Sequence, residues 1–154
     1  MYRKILITTD GSSVSRHTAC AGVELARQMG ADVLALYVAP TYQFPLYVEI
    51  PSPGYPSDEE YTARMLALGH EHTDAIMRAA RTAGLACEST TAFADSPALK
   101  IVDVAQERQC DLIFMGSHGR SGWGQLLLGS VTNKVLSHTS KPVLVHRLID
   151  SPPG

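Results

Sequence analysis

Five of the chain's twelve glycines fall within fourteen residues, at Gly116, Gly119, Gly122, Gly124 and Gly129. The stretch around them, Ile113 to Leu136, reads as an apolar strand, a glycine-punctuated loop and a helix opening at Gly129 and Ser130. With no Cβ in the way, the backbone N–H groups of such a loop can turn toward an anion. A helix start adds unpaired N–H groups and a partial positive charge. Ser130, Thr132 and Asn133 bring hydroxyl and amide side chains to the same turn. A surface loop ahead of a capped helix has a similar composition, but the order of strand, loop and capped start favours phosphate binding.

The rest of the chain alternates short apolar runs with amphipathic ones. Lys4 to Thr9 (KILITT) is a β-branched run closed by Asp10-Gly11-Ser12-Ser13, which predicts a buried strand and a turn whose serines can cap the next helix. From Val14, the positions Thr18, Gly22, Leu25 and Met29 recur at helical spacing until Gly30 stops them. Asp32 to Val38 is a second strand. Ala39 to Ser57 holds five prolines, three tyrosines and a phenylalanine, too much proline for a helix or a central strand. This 40–57 connection is long enough for a lid or a subunit contact, or for a wrapper packed back on the domain.

Asp58 to Ala83 carries Tyr61, Met65, Leu68, His72, Ile76, Ala79 and Ala83 at helical steps, and Leu85 to Phe93 is a third strand. Asp95-Ser96-Pro97 opens a helix with Ala98, Ile101, Val102 and Ala105 facing inward. A strand at Asp111–Met115, a helix at Ser130–His138 and a strand at Pro142–His146 complete the pattern. The 154 residues suit one domain with a substantial core. Five strands alternating with helices predict an α/β protein with an open, mostly parallel sheet covered on both faces. Ligands of such sheets sit beyond the carboxyl ends of the strands, where the winding reverses.

Gly116-Ser117-His118-Gly119, nine further residues and then Gly129-Ser130 resemble the G-x2-G-x9-G-[ST] signature of ATP-binding members of the universal stress protein family. Met1 to Ser13 is similar to that family's opening strand and Asp-Gly-Ser turn, and Ser140 to Arg147 to its closing strand. The resemblance covers nearly the whole of 1–154, leaving the 40–57 connection and the last few residues without a clear counterpart. It implies a Rossmann-like, doubly wound sheet of five parallel strands in the order 3-2-1-4-5. It also implies a cytosolic, nucleotide-responsive stress module that binds ATP, ADP or AMP with Mg or Mn, and a homodimer formed through the C-terminal strand. Carried over by position, Thr8 and Thr9 would line the nucleotide near the sugar, Asp10 would hold the metal, and Val38 would meet the adenine. Met115, Gly116, His118 and Gly119 would make the first phosphate and ribose contacts, and Gly129, Ser130, Val131 and Thr132 the second.

Composition narrows the alternatives. A net charge of −2 and a pI near 6.3, with scattered lysines and arginines, give no electrostatic footprint for nucleic acid. Cys20, Cys87 and Cys110 are odd in number and lack C-x-x-C spacing, so they read as buried thiols and not as a disulfide or zinc framework. No apolar window is long enough to cross a bilayer, and Met1 leads directly into Tyr2-Arg3-Lys4 without an export signal, so residence in the cytoplasm is expected.

Individual side chains keep two readings. Asp10 can hold a hard divalent ion beside a triphosphate or merely close its turn. Arg120 can meet a phosphate or solvent, and Trp123 can cover a ligand or a partner chain, or anchor its loop. His70 and His72, two apart on a helix, face different ways and do not make a metal pair. His118 is better read as a binding residue than as a general base, because no nucleophile can be placed beside it. The chain has no G-x-x-x-x-G-K-[ST], no G-x-G-x-x-G after the first strand and no G-x-S-x-G elbow. Slow ATP hydrolysis or phosphoryl transfer in the same cleft is the competing function; it would need a positioned nucleophile and more cationic stabilisation.

Overall fold

The structure, a computed structural model, describes residues 1–43, 54–117 and 128–148. In chain order the elements are β1 (Lys4–Thr9), α1 (Ser13–Met29), β2 (Asp32–Ala39), α2 (Asp58–Thr82), β3 (Cys87–Phe93), α3 (Pro97–Glu107), β4 (Leu112–Gly116), α4 (Ser130–His138) and β5 (Val143–His146). The strands form one five-stranded sheet in the order β3-β2-β1-β4-β5, with every pairing parallel. This is the doubly wound arrangement expected.

The two-residue period of the strands divides the core. Ile5, Ile7, Val33, Ala35, Leu112 and Phe114 face one side, packed against Ala19, Val23 and Ala26 of α1 and Ile76 and Ala80 of α2. Their alternating neighbours Leu6, Leu34, Leu36, Ile113 and Met115 face the other, against Ala98, Ile101, Val104 and Ala105 of α3 and Val135 of α4. A strand buried on both faces must be apolar without alternation, which is why KILITT and DVLALYVA read as continuous runs. Ile5, Leu6 and Ile7 are fully buried, each contributing about 1.5–3 kcal/mol.

Local chemistry sets the helix ends. Ser12 caps α1, its hydroxyl accepting the Ser15 N–H at 3.1 Å, and Gly30 at φ +63° ends it. α2 opens with a capping box: the Ser57 hydroxyl accepts the Glu60 N–H at 3.1 Å, and the Glu60 carboxylate accepts the Ser57 N–H at 2.8 Å. At the other end of the sheet, the Asp111 carboxylate accepts the N–H groups of Arg3 and Lys4, joining the entries to β4 and β1. The Arg3 bond is the main reason that its carboxyl is held below the usual range.

The structure corrects four expectations. The buried stripe of α2 is Gly69, Thr73, Ile76 and Ala80, rotated from the expected line through Leu68, His72 and Ala79. The cause is a close approach to β3: a Cβ on Gly69 would lie 1.8 Å from Thr91 Oγ1. β3 begins at Cys87 instead of Leu85, since the Leu85 N–H closes the end of α2 on the Ala80 carbonyl at 2.9 Å. Ser96 occupies the cap position of α3 but makes no side-chain capping bond, with Pro97 starting the helix in its place. Of the three thiols only Cys110 is buried; Cys87 is half-buried and Cys20 is exposed, on the outer side of α1 beside the inward Ala19.

Candidate functional site

β1 and β4 lie side by side, and the chain leaves them toward opposite edges of the sheet, so the winding reverses between their carboxyl ends. At that point the structure has a cavity of about 320 Å³. Thr8, Thr9 and Asp10 reach it from β1 and its turn, Val38 from β2, and Met115 and Gly116 from β4. Gly129, Ser130, Val131 and Thr132 reach it from the start of α4. His118 and Gly119 lie outside the described residues, as do Arg120, Trp123 and the middle of the 40–57 connection.

Ser15, Leu36, Pro97 and Ile101 also line the cavity, and sequence reasoning does not place them there. Leu36 could have been found by strand parity, because it shares a face with Val38. Pro97 and Ile101 could not, since nothing local says which strand ends α3 covers. Together Leu36, Val38, Pro97, Ile101 and Met115 make an apolar half, while the two turns and the α4 start make a polar half.

The turn after β1 is held by its own side chains. The Ser12 N–H donates to Asp10 Oδ1 at 2.9 Å and the Gly11 N–H to Thr9 Oγ1 at 3.1 Å. Thr9 Oγ1 and Ser15 Oγ are 3.0 Å apart, both residues being buried, and the Ser15 hydroxyl reaches the Ser12 carbonyl at 3.0 Å. Asp10 therefore does close its turn. A carboxylate has about four lone-pair sites, so that bond is compatible with a metal held through oxygen or water.

The ends of the glycine-rich loop are tied together. The Gly129 N–H donates to the Ser117 carbonyl at 2.7 Å, and the Thr132 hydroxyl donates to the Gly116 carbonyl at 2.9 Å. The Asn133 amide donates to the Leu128 carbonyl at 3.0 Å. This corrects the expectation that Thr132 and Asn133 would direct their donors at an anion: those donors fix the loop ends. What α4 offers instead is backbone. Its cap residue is Gly129, no side chain among the described residues makes a capping bond there, and Ser130 and Val131 are exposed beside the cavity. An acceptor such as a phosphate oxygen suits that end of the helix.

Away from the cavity floor, His70 is exposed, whereas the His72 ring meets Tyr37 edge-on at 4.8 Å. The two side chains thus point apart.

Known proteins share both this sequence pattern and this fold. Residues 1–147 match the model of the universal stress protein family. Universal stress protein MJ0531 of Methanocaldococcus jannaschii is 34% identical over 145 residues, covering 94% of this chain and 82% of that protein. YxiE of Bacillus subtilis is 30% identical over 152 residues, covering 96% and 100%. Among solved structures, MJ0577 superposes with a TM-score of 0.78 at 24% identity, covering 98% of this chain and 99% of that one. The Archaeoglobus fulgidus universal stress protein, solved in complex with dAMP, gives 0.59 at 23% identity, covering 94% and 97%. An Arabidopsis thaliana family protein with AMP bound gives 0.62 at 16% identity, covering 94% and 91%.

Proposed function

The chain belongs to the universal stress protein family, and from that premise we propose that it is an ATP-binding member, a cytosolic stress-response module of one domain whose bound nucleotide alters its contacts with a partner. The observation that carries the proposal is the cavity itself, with an apolar half on one side and, on the other, a helix start that no side chain among the described residues caps, beside a carboxylate turn. Adenine would lie against Leu36, Val38, Ile101 and Met115, where burial of a flat apolar ring is favourable. The phosphates would accept N–H bonds at Ser130, Val131 and Thr132. A Mg or Mn ion would be held by Asp10, phosphate oxygens and water, the ligand set that a hard cation prefers. Complexes of family relatives with dAMP and AMP support an adenine nucleotide, and ADP or AMP would occupy the same slot.

Pairing of two copies through β5 belongs to the same reading. β5 is an edge of the sheet, and Leu136, Leu144 and Leu148 on and around it are each 36% or more exposed. An apolar edge strand is a liability unless covered.

Thermal unfolding with and without nucleotide tests the proposal. ATP and magnesium at a hundred times the dissociation constant should add about 2.7 kcal/mol, raising the midpoint by about 5 °C or more. An unchanged midpoint at millimolar ATP would contradict the reading.

A further inference from the structure

The row of residues Thr9, Tyr37 and Thr91 runs across β1, β2 and β3 in register. α2 lies on this row. Gly69 meets Thr91 so closely that a Cβ would stand 1.8 Å from its hydroxyl oxygen, which fixes where the helix sits. His72, three residues on and therefore on the same side of α2, has its ring edge-on to Tyr37 at 4.8 Å.

The imidazole then reaches past the sheet to Gly11, which sits in the turn between Asp10 and Ser12. Gly11 has φ +80°, and a Cβ built on it would fall 2.2 to 2.5 Å from three atoms of the His72 ring. The ring thus occupies the space that any side chain at 11 would need. Its Nε2 is buried with no hydrogen-bond partner among the described residues, and the contact with Gly11 is one of shape. The Gly11 N–H is also held by Thr9 Oγ1 at 3.1 Å. Gly11 thus has two fixed neighbours, a hydrogen bond to β1 and a flat ring from α2.

We propose that His72 is a positioning residue for the nucleotide's metal-bearing phosphates: its ring fixes Gly11 and so sets where the Asp10 carboxylate points. This inference rests on the reading of the cavity as a nucleotide site. It predicts a selective effect, because a triphosphate with its metal engages Asp10, whereas AMP relies on the apolar slot and the α4 start. Loss of a group that orients a metal ligand commonly weakens binding by about tenfold or more.

The test is a calorimetric titration of wild type, His72→Ala and His72→Phe with magnesium ATP and, separately, with AMP. His72→Ala should weaken magnesium ATP about tenfold and leave AMP unchanged. His72→Phe, which restores a flat ring without the unpartnered nitrogen, should return ATP affinity to the wild-type value. Equal losses of ATP and AMP in His72→Ala, or no loss of either, would overturn the proposal, as would failure of the phenylalanine to restore binding. Should the alanine variant not fold, His72→Leu takes its place with the same outcomes. Wild type that binds neither nucleotide would overturn the nucleotide site itself, a result distinct from wild-type binding that His72→Ala leaves intact.

Discussion

Replacing Ser130 with glutamate is expected to weaken nucleotide binding by about a hundredfold or more while leaving the fold at least as stable as before. Ser130 is the first residue of α4, exposed and on the cavity wall, and its helix start has no side-chain cap among the described residues. A carboxylate there is favourable to the helix by about 0.3–1 kcal/mol. The same carboxylate would stand where the phosphates are proposed to bind, and like charges brought together in a binding site cost several kcal/mol, about a hundredfold or more in affinity. Stability and binding should thus move in opposite directions, which a misfolded variant cannot imitate. Chemical denaturation and an ATP titration on the same preparation measure both. A Ser130→Glu protein that still binds ATP as wild type does would move the phosphates away from α4.

The second large effect is on the fold. Gly11→Ala should destabilise the protein by roughly 2 to 5 kcal/mol, the sum of a left-handed backbone forced on a residue with a Cβ and the overpacking of that Cβ on a neighbour. Both terms apply at this position, since φ is +80° and the His72 ring fills the space. Gly30, also at positive φ but with nothing within 4 Å of where a Cβ would sit, supplies the comparison. Gly30→Ala should lose only the backbone term, about 1–2 kcal/mol. Urea unfolding of the two variants reads the difference, and equal losses would mean that the contact with His72 contributes nothing.

Much of this architecture is legible in the chain. Lys4–Thr9 and Ser130–His138 can be read to the residue, because each is bounded by strong punctuation: Asp10-Gly11 after the one, Gly129 before the other. The reversal point is legible because its glycines, hydroxyls and carboxylate cluster after two particular strands, and ten of the residues that the family resemblance carries over by position line one cavity. What escapes the sequence depends on partners distant in the chain. The rotation of α2 follows from Gly69 meeting Thr91, a fit that helical periodicity does not contain. The contact of His72 with Gly11 joins elements that have no local signal in common. The donors of Thr132 and Asn133 suit an anion by residue type, but the loop ends they hold are brought near only by folding.

A crystal structure of the protein with ATP and magnesium would locate the nucleotide outright. Adenine should lie against Leu36, Val38 and Ile101, the phosphates at the first turn of α4, and the metal beside Asp10. Nucleotide density at any other place on the molecule, with this cavity empty, would contradict it.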